Sequence, residues 1–409
     1  MKRAVAVVSL VVVPFTLGCG KVAPLAPRVA REPSPDITAT APLPGARTPV
    51  PAARHTDVTA QHVEGSIGPG SIYGIDLPAS WNGDLVVYAH GYVPPFLPVM
   101  LPTEGAGLRQ RLLGEGYALA YSSYSENGFD VRDAAQRTAQ LSSIFASRFQ
   151  KPDHTFLIGV SLGAIPALKL VEEHPRDYDG ALLASGVVGG TRLEIDYIST
   201  VRVLFDYFYP GVLPGTAIEV PNADFNGTIV PAVVGAIQAN PQGAGAMVSI
   251  APDTCLPFAS PTEIVTSILT ALGFEFIEGG DFLSHTHDHV YFDNSGTVYT
   301  GALPQPLLDD LNARVARFSA TPDAANFLNR DYQPTGRLSI PVLTMHTSRD
   351  PLVPACHETA YHDLVAAAGR GDFLSQRLID RYGHFTFTDD ELQRGFDDLV
   401  AWVHSGVRP

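Results

Sequence analysis

Residues 155–164 read Thr-Phe-Leu-Ile-Gly-Val-Ser-Leu-Gly-Ala. The apolar run at the start of this stretch predicts a short strand that is buried on both faces. Residues 162–173 have apolar side chains at helical spacing and predict a helix directly afterwards. Ser161 therefore lies at a sharp turn between a strand and a helix. Gly159 and Gly163, two residues to either side, leave the space that such a turn needs.

The same alternation of strand and helix extends along the chain in both directions. The sequence predicts strands at 71–77, 85–89, 117–121, 155–159, 180–188, 340–346 and 374–379, and helices at 131–149, 162–173, 358–368 and 390–404. Alternating strands and helices indicate the α/β class, in which helices cover both faces of a mostly parallel sheet.

Composition narrows the function classes. The chain has 409 residues, of which 45% are hydrophobic and 17% charged, so it can bury a large core. It contains 27 basic and 42 acidic residues, and its net charge of −15 excludes nucleic acid and an anionic membrane surface as main partners. Three cysteines are too few for a disulfide-dense protein or a four-cysteine zinc site.

The N-terminal residues have the pattern of an export signal. Lys2 and Arg3 precede an apolar run at 4–13 that is too short to span a bilayer, so residues 1–19 are predicted to be a signal peptide. The small residue before Cys19 resembles a bacterial lipoprotein cleavage site, after which the cysteine is lipidated. Plain secretion and a retained anchor are the alternatives. A lipid on Cys19 would attach the protein to the membrane, and the protein is expected outside the cytoplasm in each case.

Two segments depart from the strand and helix pattern. Residues 20–57 contain eight prolines and predict an extended tether that leads to a folded domain at 58–409. Residues 190–336 are rich in proline, glycine and aromatic residues, with helices expected near 262–272 and 305–318. We expect this second segment to be a cap inserted between two strands of the sheet, because the same pattern resumes after it. A second independent domain is the alternative.

A serine hydroxyl becomes a nucleophile when a neighbouring base accepts its proton. Where a serine occupies such a strand–helix turn, an acid and then a histidine follow it in the chain. Asp350 comes just after a predicted strand, and His384 follows the last strand beside Gly383. We therefore predict Ser161 as nucleophile, Asp350 as acid and His384 as base. The rival candidates are Asp380 and Asp363 for the acid and His357 for the base.

His90, Gly91 and Tyr92 end an earlier apolar strand. A His-Gly pair at this point shapes a loop whose next backbone amide helps to bind an oxyanion. The predicted oxyanion hole consists of the Tyr92 and Leu162 amides, and His90 supports the loop through a hydrogen bond.

The chain thus contains four motifs in the order His90–Tyr92, Gly159–Gly163, Asp350 and Gly383–His384. Over residues 66–190 and 337–405 they resemble the landmark motifs of the α/β-hydrolase superfamily, in the same chain order. The resemblance implies acyl transfer through a serine acyl-enzyme, with no cofactor and no metal. The superfamily includes esterases, lipases, acyl-peptide hydrolases and prolyl peptidases, so the substrate is expected to be a small-molecule ester or a peptide. The sequence does not indicate the oligomeric state.

Three functions stay open at this point. The first is hydrolysis of carboxylic esters. The second is peptide cleavage, for which a cap acid such as Glu194, Asp196 or Glu219 would bind the substrate amine. The third is a surface lipoprotein that uses the fold only for binding.

The remaining residues of interest lie mostly in the predicted cap. Cys255 and Cys356 form an even pair in an exported chain and predict a disulfide, with two free thiols as the alternative.

His285, His287 and His289 would share one face of a strand and could bind a metal there, but no fourth ligand is visible. A polar loop with Tyr291 and Phe292 packed inside is the preferred interpretation. The aromatic stretch 205–209 is expected in the core of the cap, or else against an apolar substrate group.

Overall fold

A single eight-stranded sheet organises the protein. The computed structural model describes residues 60–250, 255–287 and 289–409. The predicted signal peptide, tether and lipidation site at Cys19 lie outside these residues. The strands are β1 (Gln61–Ser66), β2 (Ile72–Leu77), β3 (Leu85–Ala89), β4 (Ala118–Ser122), β5 (Thr155–Val160), β6 (Gly180–Ala184), β7 (Val342–Arg349) and β8 (Leu374–Tyr382).

The strands lie in the order β1-β2-β4-β3-β5-β6-β7-β8. Strand β2 is antiparallel to β1 and β4, and the remaining neighbours are parallel. The predicted, mostly parallel sheet is therefore confirmed. Because parallel strands share one direction, the loops after β3, β5, β7 and β8 all leave from the same edge.

Eleven α-helices accompany this sheet in the described part of the chain. They are α1 (Ala106–Gly114), α2 (Val131–Arg148), α3 (Ala164–Glu173), α4 (Thr191–Phe208), α5 (Val230–Ala239), α6 (Pro241–Ser249), α7 (Pro261–His285), α8 (Gln305–Arg314), α9 (Pro322–Asp331), α10 (Cys356–Ala367) and α11 (Asp389–Ser405). None of the helices within the described ranges is long and apolar enough to cross a membrane.

Helices cover both faces of the sheet, as predicted. Alternate residues of β5 divide between two apolar clusters: Phe156 and Ile158 pack with α1 and α11, whereas Leu157 packs with α2 and α3. Strands β3, β5 and β6 are fully buried, which explains why their sequences are continuous apolar runs rather than alternating ones.

Some element boundaries differ from the predicted ones for local reasons. Strand β6 ends at Ala184 instead of residue 188 because Ser185 has a left-handed φ of 44°. Helix α8 ends at Arg314 instead of 318 because Val315 is extended. Helix α7 continues well past the predicted end at 272. Strand β1 and helices α1, α4, α5, α6 and α9 were not predicted.

A helical insertion separates β6 from β7 and contains α4 to α9. Phe205 and Tyr209 are buried in its core, as expected for the aromatic stretch, while Tyr207 and Phe208 are half-buried. Helix α7 packs against α4, α5 and α6. It begins with Ser260, whose side chain accepts a hydrogen bond from the Glu263 amide, followed by a proline in the first turn.

The disulfide between Cys255 and Cys356 joins this insertion to the rest of the protein. The two Cα atoms are 6.1 Å apart, and 101 residues separate the cysteines in sequence. Cys356 is the first residue of α10, so the bond fixes the chain ahead of α7 to the segment that follows β7. The predicted pairing is therefore present in the structure.

Replacing both cysteines by serine should lower the free energy of unfolding by about 2 to 4 kcal/mol, because the unfolded chain loses a long covalent loop. Urea unfolding followed by circular dichroism would measure the change. Wild type kept in a reductant is the matched control and should unfold like the variant. Identical midpoints for oxidised and reduced wild type would contradict the expectation.

Candidate active site

Ser161 occupies a strained turn between β5 and α3. Its φ is 53°, a left-handed value that is uncommon for a residue other than glycine. A Cβ atom on Gly159 would lie 2.8 Å from the carbonyl oxygen of Gly163, and one on Gly163 would collide with the carbonyl oxygens of Ala89 and His90. Only glycine therefore fits at both positions, which is the reason for the spacing in the sequence.

The structure brings the three predicted side chains into one hydrogen-bonded chain. The Nε2 atom of His384 is 3.0 Å from the Oγ atom of Ser161, and its Nδ1 atom is 2.7 Å from Oδ2 of Asp350. With the Nδ1 proton donated to the carboxylate, Nε2 is free to accept the serine proton. This arrangement can make the hydroxyl of Ser161 reactive.

Asp350 is fully buried and still holds a negative charge. Its Oδ1 atom accepts hydrogen bonds from the amides of Leu352 and Val353 at 2.9 and 3.0 Å. Burial raises the pKa of this carboxyl, but His384, His346 and the backbone amides outweigh burial and the net pKa is lowered. The carboxylate therefore remains available to accept a hydrogen bond from Nδ1–H of His384.

A second histidine beside Asp350 was not predicted. His346 is buried at the end of β7; its Nε2 atom is 2.7 Å from the Val353 carbonyl oxygen, and its Nδ1 atom is 3.2 Å from Oε1 of Glu358. Both partners can accept a hydrogen bond, so the protonated ring has an acceptor for each of its two N–H groups. Burial lowers the pKa of His346, but the Glu358 and Asp350 carboxylates raise it above its usual value. Its Nε2 atom lies 3.6 Å from Asp350 Oδ2.

The rival candidates lie elsewhere or have other partners. Asp380 is exposed and pairs with Arg349, and Asp363 is exposed beside His362. His357 is fully buried and accepts a hydrogen bond from the Gly189 amide. Burial and the charge of His346 lower the pKa of His357 to about 3. None of these side chains reaches Ser161 through a hydrogen bond.

The predicted oxyanion loop lies directly against the serine. A Cβ atom on Gly91 would be 3.1 Å from the Cβ atom of Ser161. The Tyr92 amide donates no hydrogen bond within the described part of the chain, and Leu162 is in the first turn of a helix, where backbone amides have no helical acceptor. The Nδ1 atom of His90 is 2.7 Å from the Gly91 carbonyl oxygen, and its ring stacks on Tyr124.

Glu104 also holds this loop and was missed in the sequence. Its Oε1 atom accepts a hydrogen bond of 2.7 Å from the Gly91 amide. The residue lies 13 positions downstream in an irregular, proline-containing stretch, so no periodic pattern points to it. The contact fixes the peptide immediately before the Tyr92 amide.

Helix α7 crosses the site from one catalytic loop to the other. Near its start, Ser267 is 3.1 Å from the hydroxyl of Tyr382, two residues before His384. Near its end, Asp281 accepts hydrogen bonds from the Tyr92 hydroxyl at 3.2 Å and from the Phe129 amide at 2.7 Å. Part of the surface around Ser161 therefore comes from the helical insertion.

The three cap histidines do not share a strand face. His285 is the last residue of α7 and pairs with Asp281, and His287 and His289 follow in a turn. The strand interpretation was wrong because α7 extends to His285. Tyr291 and Phe292 are buried, as expected for a loop packed on the core.

A different set of side chains within the described ranges has metal-ligand geometry. One ligand atom each from Asp84, His154 and His404 lies within 4.8 Å of the others. Asp84 and His154 precede β3 and β5, so this set lies at the sheet edge opposite Ser161.

Four features define the fold: the strand order, the serine turn after β5, an acid after β7 and a histidine after β8. The chain has the α/β-hydrolase fold.

No protein-family model matches the chain. An o-phthalyl amidase from Xanthobacter agilis is 23% identical over 414 residues, which cover 87% of this chain and 90% of that protein. The likeness therefore extends along most of both chains.

Solved structures of the α/β-hydrolase fold are also similar to this chain. An acylaminoacyl peptidase in complex with Z-Gly-Gly-Phe-chloromethyl ketone is 10% identical with a TM-score of 0.43; the match covers 84% of this chain but only 41% of the peptidase. Feruloyl esterase B from Aspergillus oryzae is 16% identical with a TM-score of 0.47, over 85% of this chain and 81% of the esterase.

Replacing Glu104 by alanine should slow labelling of Ser161 by a fluorophosphonate about 10-fold or more, because the oxyanion loop loses the anchor of its Gly91 amide. Glu104→Gln keeps an acceptor oxygen and should stay close to the wild-type rate. Gel-based labelling time courses would measure both. Equal slowing in the two variants would argue against a role for the hydrogen bond.

Proposed function

We propose that the protein is a serine hydrolase that cleaves carboxylic ester bonds through an acyl-enzyme. The observation that supports this most directly is the chain of hydrogen bonds from Ser161 through His384 to Asp350. Three side chains from distant parts of the sequence meet in the geometry that acyl transfer requires. A serine with only a structural role would not need to be held at a strained, left-handed φ, as Ser161 is.

In the proposed reaction, Oγ of Ser161 attacks the acyl carbon while its proton passes to Nε2 of His384. The carbonyl oxygen becomes an oxyanion that accepts hydrogen bonds from the Tyr92 and Leu162 amides. His384 then gives the proton to the leaving alcohol oxygen, and the carbon–oxygen bond to the alcohol breaks. Water attacks the acyl group on Ser161, with His384 again taking and returning a proton, and the carboxylic acid leaves. Asp350 holds the ring and offsets the positive charge of the imidazolium.

Amide or peptide cleavage is the second candidate. The amidase relative that aligns along most of this chain favours it, because the same machinery can expel an amine. Comparing 4-nitrophenyl esters with 4-nitroanilides of the same acyl group would separate the two activities.

A binding protein without catalysis is the third candidate, and failure of a fluorophosphonate to label Ser161 would support it.

Ser161→Ala and Asp350→Asn should each lower kcat for a short-chain aryl ester by about 10³-fold or more, because both interrupt the proton relay. Steady-state assays with 4-nitrophenyl acetate would measure this. The matched controls are Ser147→Ala, on the exposed side of α2, and Asp380→Asn, the exposed rival acid. Both controls should retain wild-type rates. Wild-type activity in Ser161→Ala would reject the proposal.

Export is part of the proposal. The disulfide between Cys255 and Cys356 supports an oxidising compartment, where such bonds persist. The apolar run and Cys19 support removal of a signal peptide and attachment of a lipid.

Mass spectrometry of the mature protein should find an N-terminal Cys19 that bears a lipid, because the motif before it resembles a lipoprotein cleavage site. Cys19→Ser should then be released from the membrane fraction, with its Ser161 labelling unchanged. A mature N-terminus elsewhere, without lipid, would show plain secretion instead.

A further inference from the structure

Two buried carboxyl groups close to the candidate site lack partners that would neutralise them. Glu194 in the first turn of α4 is 5% exposed and Glu278 on α7 is 3% exposed. Oε1 of Glu194 and Oε2 of Glu278 form no hydrogen bond with any described group. Glu275, on the same helix, is the contrast: both of its oxygens are 3.1 Å from Nη1 of Arg202. A buried acid without such compensation is costly, so a functional reason is expected.

Glu278 lies on the side of α7 that faces the catalytic loops. Ser267, Phe274 and Asp281 contact Tyr382 or Tyr92, and Glu278 is 11, 4 and 3 residues from them. At 100° per residue these spacings place all four side chains on one side of the helix. Glu278 therefore lies between Phe274 and Asp281, both of which contact the Tyr92 side chain. Burial and the charges of Glu194 and Asp281 raise the pKa of Glu278 well above its usual value.

Glu194 lies at the acid end of the triad. The Tyr197 hydroxyl, one turn along α4 on the same side, donates a 2.7 Å hydrogen bond to the carbonyl oxygen of Pro351, next to Asp350. Oε2 of Glu194 is 2.9 Å from Nε2 of His357. Since Nδ1 of His357 accepts from the Gly189 amide, its Nε2 atom bears the proton and donates to Glu194. That ring is neutral, so it satisfies one oxygen without cancelling a charge.

We propose that Glu194 and Glu278 bind a protonated amine of the substrate, so that the enzyme acts on esters or amides whose acyl part bears an amino group near the scissile carbonyl. An ammonium group has three donors, so it can donate to both unpartnered oxygens and still have one donor left, and its positive charge stabilises the ionised form of these acids. The charged groups that act on Glu278 are the acids Glu194 and Asp281. Those that act on Glu194 are the acid Asp350 and the histidines His384 and His346, so Glu278 provides the more acidic side of the site. This inference rests on the proposed function and names its substrate class.

The test compares alanine 4-nitroanilide with isobutyryl 4-nitroanilide, in which a methyl group replaces the ammonium. Wild type should prefer the alanine compound by about 10-fold or more in kcat/KM, which is the range expected for a charge-assisted contact. Glu278→Gln should lower that preference about 10-fold or more. Glu275→Gln, a buried acid of the same helix that already has an arginine partner, should leave the ratio of the two substrates unchanged. Equal ratios in wild type and Glu278→Gln would overturn the inference.

Two further measurements distinguish an effect on amine binding from an effect on stability and from an effect on turnover. Glu278→Met should keep or raise Tm, because it removes a buried acid that has no partner; a large fall would assign Glu278 a structural role and overturn the inference. Calorimetry on Ser161→Ala should show tighter binding of alaninamide than of isobutyramide. This binding is independent of turnover. Absence of ester hydrolysis by the wild type would reject the proposed function, whereas equal binding of the two amides to Ser161→Ala would reject the amine site.

Discussion

The buried carboxylate of Asp350 is the constraint around which the rest of the site is built. A charge without exposure to water must be compensated within the protein, and four groups do so: the Leu352 and Val353 amides, His384 and His346. The two amides exist because the chain turns sharply after β7. The ring nitrogens of His346 lie within hydrogen-bond distance of Glu358 and of the Val353 carbonyl oxygen, and the Glu358 and Asp350 carboxylates raise its pKa. The ring orientation of His384 is thus fixed from several elements at once.

The second constraint is steric and acts at the other end of the relay. The backbone at Ser161 is strained, and the strain persists because Gly159, Gly163 and Gly91 allow α3 and the oxyanion loop to approach closely. Such a turn leaves the hydroxyl above the sheet edge from which the loops after β7 and β8 also leave. The parallel sheet therefore brings together residues that are more than 220 positions apart in sequence.

Sequence patterns predicted the sheet and the relay well because both depend on short-range rules. Buried parallel strands appear as apolar runs, and the serine turn requires glycines at fixed spacing. The insertion was predicted poorly: only α8 and the first part of α7 were expected, since its helices pack on one another and have no alternating partner in the sheet. Glu104, His346 and Glu278 have no local signal at all, because tertiary contacts alone define what they do.

The helical insertion restricts access to Ser161. If the loops of the sheet alone formed the site, the serine would face open solvent and any acyl group could approach. Helix α7 instead spans from Tyr382, beside the histidine loop, to Tyr92 in the oxyanion loop, and the disulfide ties the chain ahead of it to α10. The same helix side that makes these contacts also bears Glu278, whose Oε2 atom has no hydrogen-bond partner among the described residues. On these proposals, the loops of the sheet provide the catalytic groups and helix α7 selects the substrate, so the two can vary independently.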